Sequence, residues 1–115
     1  MEPVKISVCS IVGSPFCFSE KDAEKVYEKI KEALANDKNV ELSFLNVELL
    51  TPAFLNAAIG KLYGDFPEEK IKNSLFLSNI TKEDRMMVKK VVETAKIYYK
   101  DPKQLAKIIK AILKE

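Results

Sequence analysis

Few side chains in this sequence could carry chemistry, and they fall in two stretches. The first stretch supplies thiols, hydroxyls and a glycine: Cys9, Ser10, Gly13, Ser14 and Cys17. The second is LTPAFLNAAIG, which includes Thr51. The chain contains no histidine, which excludes Ser-His-Asp and Cys-His catalytic arrangements and the usual histidine-based zinc site.

The remaining groups indicate no enzyme. Cys9 and Cys17 lie eight residues apart, and two cysteines in an unsecreted chain are more often reduced than bridged. Cys9 falls in a predicted strand, which leaves it poorly placed as a nucleophile. No carboxylate or lysine is singled out by its spacing as an acid or base. We therefore predict no catalytic residue, no metal site and no cofactor.

A small-ligand or nucleotide site is the alternative function that these residues allow. Open α/β sheets usually place ligands at the carboxyl ends of their strands. Ser10, Gly13, Ser14 and Thr51 could line such a cleft. Gly13-Ser14 alone is a weak phosphate-binding pattern, and a turn at that point is the competing interpretation.

The elements that would position these residues follow from hydrophobic spacing and turn residues. Strands are predicted at residues 4–12, 40–45 and 74–80, with a short extended piece after the Gly-Ser-Pro turn. Helices are predicted at residues 20–36, from Thr51 onward, in a short turn at 67–72, at 82–100 and at 102–114. This alternation favours an α/β fold in which helices pack on a small, mostly parallel or mixed sheet, within a single domain 1–115.

The helix that starts at Thr51 has the clearest local signals. The Thr51 hydroxyl can accept a hydrogen bond from an amide of the first turn, and Pro52 suits the first helical position. Apolar residues then cover most of the circumference, which is typical of a helix buried in the core or shared between the core and a partner. Gly60 costs about 1 kcal/mol relative to alanine, which indicates close approach of another element.

The last helix carries one apolar face, formed by Leu105, Ile108, Ile109, Ile112 and Leu113. It begins at Asp101-Pro102, which repeats the pattern of a cap followed by proline. We expect this face to pack on the chain's own sheet; a dimer or a partner groove is the alternative.

The charge distribution and hydropathy bear on partners and location. Residues 1–81 hold nine basic and twelve acidic residues, a net charge of −3, whereas residues 82–115 hold ten and five, a net charge of +5. The lysines are interleaved with acids on helical faces, so a solvated surface is expected rather than a nucleic-acid or membrane site. No apolar run approaches the ~20 residues that span a bilayer, and no signal core is apparent. We expect a cytoplasmic monomer or weak homodimer.

Two segments carry a family resemblance. FLNVELLTPAFLNAAIGKLYGDF, with a hydrophobic strand before it, and NITKEDRMMVKKVVETAKIYY after it resemble the bacterial STAS-like domain of unknown function. The resemblance extends over about residues 4–100 and leaves the amphipathic helix 102–114 as an addition. This family is related to the STAS fold of anti-sigma-factor antagonists and sulfate-transporter tails.

The resemblance implies a cytoplasmic regulatory module that binds another protein, such as a kinase-type ATPase or an anti-sigma-like factor. In antagonists of this fold the partner docks at the start of the corresponding helix, which predicts docking through Thr51, Pro52, Ala53, Phe54 and Asn56. The serine that the partner phosphorylates in those antagonists corresponds to Ala53, which has no hydroxyl. Thr51 is the only nearby candidate phosphoacceptor, and a capping role is the alternative for it. Phe54 could equally fill the core.

Overall fold

The structure is a computed structural model that describes residues 2–100 and 102–113; in the last helix it describes the side chains of residues 107 and 109–113 only. The strands are β1 (Val4–Ser7), β2 (Phe16–Cys17), β3 (Val40–Ser43), β4 (Leu49–Leu50) and β5 (Leu75–Ser78). The α-helices are α1 (Val8–Val12), α2 (Glu20–Ala35), α3 (Pro52–Leu55), α4 (Leu62–Asp65), α5 (Glu68–Ser74), α6 (Lys82–Lys100) and α7 (Pro102–Leu113), and a π-helical segment (Asn56–Gly60) joins α3 to α4.

The segment predicted as one strand over residues 4–12 is half strand and half helix. Ser7 ends β1 because its Oγ accepts a hydrogen bond from the Ser10 N–H at 3.2 Å and so caps α1. Gly13 closes α1 with a φ of 77°, a conformation that glycine adopts without steric cost. The strand prediction is therefore wrong for residues 8–12, where these two end signals outweigh the β-branched residues. Cys9 accordingly lies in a helix.

The two small sheets are parallel, as an α/β fold requires. β3 lies between β1 and β5, with Ile6 level with Leu42 and Leu42 level with Leu77. β2 pairs with β4 in a separate two-stranded sheet. The predicted fold class is confirmed, including the additional C-terminal helix, although β4 was not predicted.

The main sheet has one apolar face and one mostly polar face, on which Phe76 is exposed. Alternation along the strands places Ile6 and Leu42 on the face that α2 packs against, where the α2 side chains Val26, Ile30 and Leu34 are buried. Serines stand level on the other face at the end of all three strands: Ser7, Ser43 and Ser78. The buried Ser43 Oγ accepts a hydrogen bond from Asn79 Nδ2 at 3.0 Å.

α7 does not bury the part of its apolar face that is described. The exposed fractions of Ile112 and Leu113 are 66% and 79%, and Ile109 is also exposed. The expectation that this face packs on the sheet is wrong for these three residues, because α7 follows the long α6 and contacts mainly that helix. The predicted cap Asp101 and the side chains of Leu105 and Ile108 lie outside the described residues.

Candidate functional site: the groove between α3 and α6

The start of α3 is built as its sequence predicts. Thr51 has extended backbone angles (φ −117°, ψ 153°), and its Oγ1 accepts a hydrogen bond from the Phe54 N–H at 3.2 Å. Pro52 occupies the first turn, where its missing N–H costs nothing. Thr51 therefore serves as the helix cap.

The predicted docking residues divide into exposed and buried groups. Pro52, Ala53 and Asn56 are exposed. Phe54 is only 1% exposed and belongs to the hydrophobic core. Docking through the Phe54 ring is therefore corrected: helical spacing turns this side chain inward, so it can support the site but cannot touch a partner.

A groove separates the exposed residues of this helix from α6. Its volume is about 480 Å³, and its lining is mainly apolar. It is lined by Pro52, Ala53, Asn56, Met87, Lys90, Val91 and Thr94. The structure thus brings three of the predicted docking residues together with a wall from α6 that the sequence did not identify. Only the periodicity of α6 was visible in the sequence, and it does not say which helix lies opposite.

The groove continues toward the carboxyl end of α6. A second depression of about 300 Å³ is lined by Asn56, Lys61, Thr94, Ala95, Tyr98 and Tyr99. Asn56 and Thr94 line both depressions. Asn56 and Thr94 therefore mark the middle of one elongated surface channel, which we call the docking groove.

The two glycines near the groove differ in how closely α6 approaches them. A Cβ built on Gly60 would lie 3.7 Å from Ala95 Cβ, and one built on Gly64 would lie 2.5 Å from Tyr99 Cε1. The close approach of another element that Gly60 predicted is therefore not observed: Ala95 would be in ordinary van der Waals contact with the added Cβ, and the tight neighbour, at 2.6 Å, is Asn56 Oδ1 of the same π-helical segment. Gly64 allows the Tyr99 ring to lie directly against the helix.

The π-helical segment lies at the middle of the docking groove. The Lys61 N–H donates to the Asn56 carbonyl oxygen, five residues back, at 3.1 Å. Such single π turns inside α-helices occur frequently at functional sites. The sequence predicted an uninterrupted helix here, since Asn56–Gly60 contains no residue type that demands a π turn.

Charge at the docking groove is predominantly positive. Lys90 lines the first depression and Lys61 the second. Lys61 Nζ lies 3.8 Å from Glu24 Oε1 and 5.3 Å from the centre of the Tyr27 ring, which ties it to α2. Among the described residues no carboxylate lies within 4.0 Å of Lys90 Nζ. Lys90 thus offers a cation beside an apolar channel.

Two tyrosines at the groove, Tyr27 beside Lys61 and Tyr99 in the lining of the second depression, have raised pKa values. The Tyr27 hydroxyl donates a hydrogen bond to Asp65 Oδ2. Burial first, then this hydrogen bond and the Asp65 charge, raise the pKa of Tyr27 well above its ordinary value. Burial also raises the pKa of Tyr99. Like other phenols they are neutral near pH 7, and the raised pKa values extend that neutral range to higher pH.

The predicted ligand-cleft residues lie elsewhere and have local structural roles. Ser10 lies on α1 and lines a different groove, beside β1 and α2. Gly13 ends α1, and the Ser14 Oγ accepts a hydrogen bond from the Phe16 N–H at 3.1 Å. The structure does not place Thr51 with these residues in either groove.

The cysteines are free thiols in different environments. Cys9 is partly exposed on α1, whereas Cys17 is fully buried on β2. Burial, with smaller contributions from Cys9 and Asp22, raises the pKa of Cys17 to about 11. The Cys17 thiol is therefore protonated and unreactive near neutral pH.

The described residues were also compared with the requirements of a metal site and of a membrane-spanning helix. Across residues 2–100 and the described part of α7, no three Cys, Asp or Glu side chains are grouped closely enough to hold a metal ion. None of the helices described is both long enough and apolar enough to cross a bilayer.

Comparison with known families gives one match. Residues 22–85 match the model of a family described as the STAS-like domain of unknown function (DUF4325). The match includes the start of α3 and the π-helical segment, while the α6 wall of the docking groove lies just beyond it. No curated protein and no solved structure matches the chain significantly. Because the matched region covers more than half of the 115 residues, the chain belongs to the STAS-like domain family.

Proposed function

We propose that this chain is a regulatory protein-interaction module that binds a partner protein in the docking groove. The observation that carries the proposal is the groove itself. Exposed side chains at the start of α3 and an opposing helix enclose an apolar channel of about 480 Å³ that no described side chain of the chain fills. Apolar grooves between helices are common sites for an apolar side chain or helix face of a partner.

The chemistry of the groove favours a particular kind of contact. Met87 and Val91 provide an apolar lining, in which the flexible methionine can adapt its shape to different partners. Lys90 stands at the rim of the same channel. We therefore infer that the partner inserts an apolar anchor and places a carboxylate near Lys90, because a rim charge of this kind adds specificity and speeds association.

A kinase-type ATPase or an anti-sigma-like factor in the cytoplasm is the partner class that we propose, and the role is non-catalytic. Family membership supports a regulatory role at most, since the family is described as one of unknown function, and the partner class is proposed from the resemblance to anti-sigma-factor antagonists. Binding would not be released by phosphorylation at the usual serine position, since Ala53 has no hydroxyl. Thr51 Oγ1 is occupied as a cap, which supports constitutive docking rather than a phosphorylation switch.

The small-ligand alternative has less support. Gly13 and Ser14 are explained by the end of α1 and the following turn, and Ser10 lies in a separate groove. A nucleotide site would need these groups to line one cleft, and the groove that Ser10 lines includes none of Gly13, Ser14 and Thr51, which favours the docking function.

Site-specific photocrosslinking tests the proposal. A photoreactive phenylalanine analogue is placed at Ala53, and at the exposed Asn73 on α5 as a matched control. We expect a discrete protein adduct from position 53 that position 73 does not give and that Lys90→Glu abolishes. Equal adducts from both positions, or an adduct that survives Lys90→Glu unchanged, would contradict docking in this groove.

A further inference from the structure

A second surface, remote in sequence from α3 and α6, is formed by the free edge of β1. β1 is an outer strand of the main sheet, with β3 on its inner side. The Val4 N–H donates to the Asn39 carbonyl oxygen at 2.7 Å, so the backbone groups of Val4 point toward β3. Because alternate residues of a strand bond to opposite sides, Lys5 directs its N–H and carbonyl, and Ser7 its N–H, toward the open edge.

A groove runs beside this open edge. Its volume is about 580 Å³, and its long walls are β1 and the outer side of α2. Val4 and Ile6 contribute from the strand, Ala33 from α2 and Ile11 from α1. A strand edge facing a helix across a groove is the arrangement that admits an extended peptide as an additional strand.

The groove carries a net positive charge. Lys29 and Lys38 line it against the single carboxylate of Glu32, and Lys5 lines it from the strand edge. These residues are exposed, so their attraction for an acidic partner acts mainly on association and falls with salt. The lining thus complements an extended segment that carries acidic side chains.

We propose that β1 and α2 bind an acidic peptide in extended conformation, which pairs with the outward backbone groups of Lys5 and Ser7 as a fourth strand. This site is separate from the docking groove and does not depend on the function proposed for it. A second copy of the chain is the less suitable occupant. Lys5 lies within the four-residue strand, and an edge lysine disfavours pairing between identical edges.

Backbone amide exchange measured by NMR on the full chain tests the proposal. The probe is a mixture of acetylated, amidated octapeptides in which Glu or Asp alternates with Val, Ile, Thr or Tyr. We expect millimolar peptide to slow exchange of the Lys5 and Ser7 amides by about tenfold, since these donors gain strand partners. Unchanged exchange at both amides would overturn the proposal.

Two controls separate backbone pairing from charge. Peptides with N-methylated alternate amides cannot form the ladder and should give no protection. Lys29→Glu should weaken peptide binding about fivefold, whereas Lys21→Glu, an exposed change on the same helix outside the groove, should not. Equal protection by the corresponding Gln peptides would overturn the acidic specificity. Protection that rises with protein concentration in the absence of peptide would assign the edge to a second copy instead.

Discussion

Gly60 and Ala95 face each other across the two helices that form the docking groove, and a Cβ on Gly60 would lie 3.7 Å from the Ala95 Cβ. One turn further along, Gly64 lies against the ring of Tyr99. Gly64 lets the Tyr99 ring lie against its helix, and Ala95 and Tyr99 both line the second depression of the groove, together with Asn56 and Thr94. The Gly64–Tyr99 contact therefore helps to position one wall of the groove.

Replacing each of the two glycines by alanine should change the stability of the chain by different amounts. In Gly60→Ala the new Cβ meets the Asn56 Oδ1 at 2.6 Å, the end of an exposed side chain that can swing away. In Gly64→Ala it meets the Tyr99 ring at 2.5 Å, and the whole ring must move. Both variants gain helix propensity, so we expect Gly64→Ala to be about 1 kcal/mol less stable than Gly60→Ala in urea unfolding. The reverse order would show that Tyr99 does not pack there.

Removal of the Thr51 hydroxyl should destabilise the chain. Thr51→Ala leaves the Phe54 N–H without its capping partner, and the free energy of unfolding should fall by about 1 kcal/mol. Thr51→Ser keeps an oxygen in place and should lie within about 0.5 kcal/mol of the parent. If both variants unfold at the same urea concentration as the parent, Thr51 is not the cap.

Phe54 should behave as a core residue. Phe54→Ala should cost about 3–5 kcal/mol, because a fully buried ring leaves a cavity. Met86→Ala, at a side chain that is 57% exposed, should change the stability by less than about 0.5 kcal/mol. If Phe54→Ala lowers the unfolding free energy only slightly, the Phe54 ring is accessible and Phe54 is again a candidate docking residue.

The buried thiol of Cys17 should make stability fall at alkaline pH. Its pKa is about 11 in the folded chain, against about 8.5 for an exposed thiol. Between these values the unfolded chain has lost a proton that the folded chain still holds, so the unfolding free energy decreases as pH rises. Below about pH 8.5 this contribution is fully retained.

Urea unfolding at several pH values between 8 and 10 measures the slope of the unfolding free energy against pH. Cys17→Ala should remove much of it, and Cys9→Ala should retain most of it. A Cys17→Ala variant with the full slope would show that burial of the thiol is not its cause.

The sequence predicted local features better than the contacts between elements. Thr51 and Pro52 predict the start of a helix, because threonine can cap the first turn and proline suits the first helical position. The helix starts there in the structure. Ser7 and Gly13 mark the two ends of α1 in the structure, but the β-branched residues between them led to the prediction of a strand. The α6 wall of the docking groove was not predictable, because Lys90 and Thr94 meet Asn56 only through tertiary packing. The exposure of α7 has the same origin, since an apolar stripe alone does not identify the surface that covers it.

The binding constant of the purified partner for three forms of the chain tests the docking groove most directly. Ala53→Glu places a charge in the groove while an acid in the first helical turn keeps α3 stable, and Asn73→Asp makes the same change in charge on α5. Titration calorimetry should show affinity at least about tenfold weaker for Ala53→Glu and unchanged for Asn73→Asp, with unfolding free energies of all three within about 1 kcal/mol. Equal affinity of Ala53→Glu and the parent would contradict docking at the start of α3.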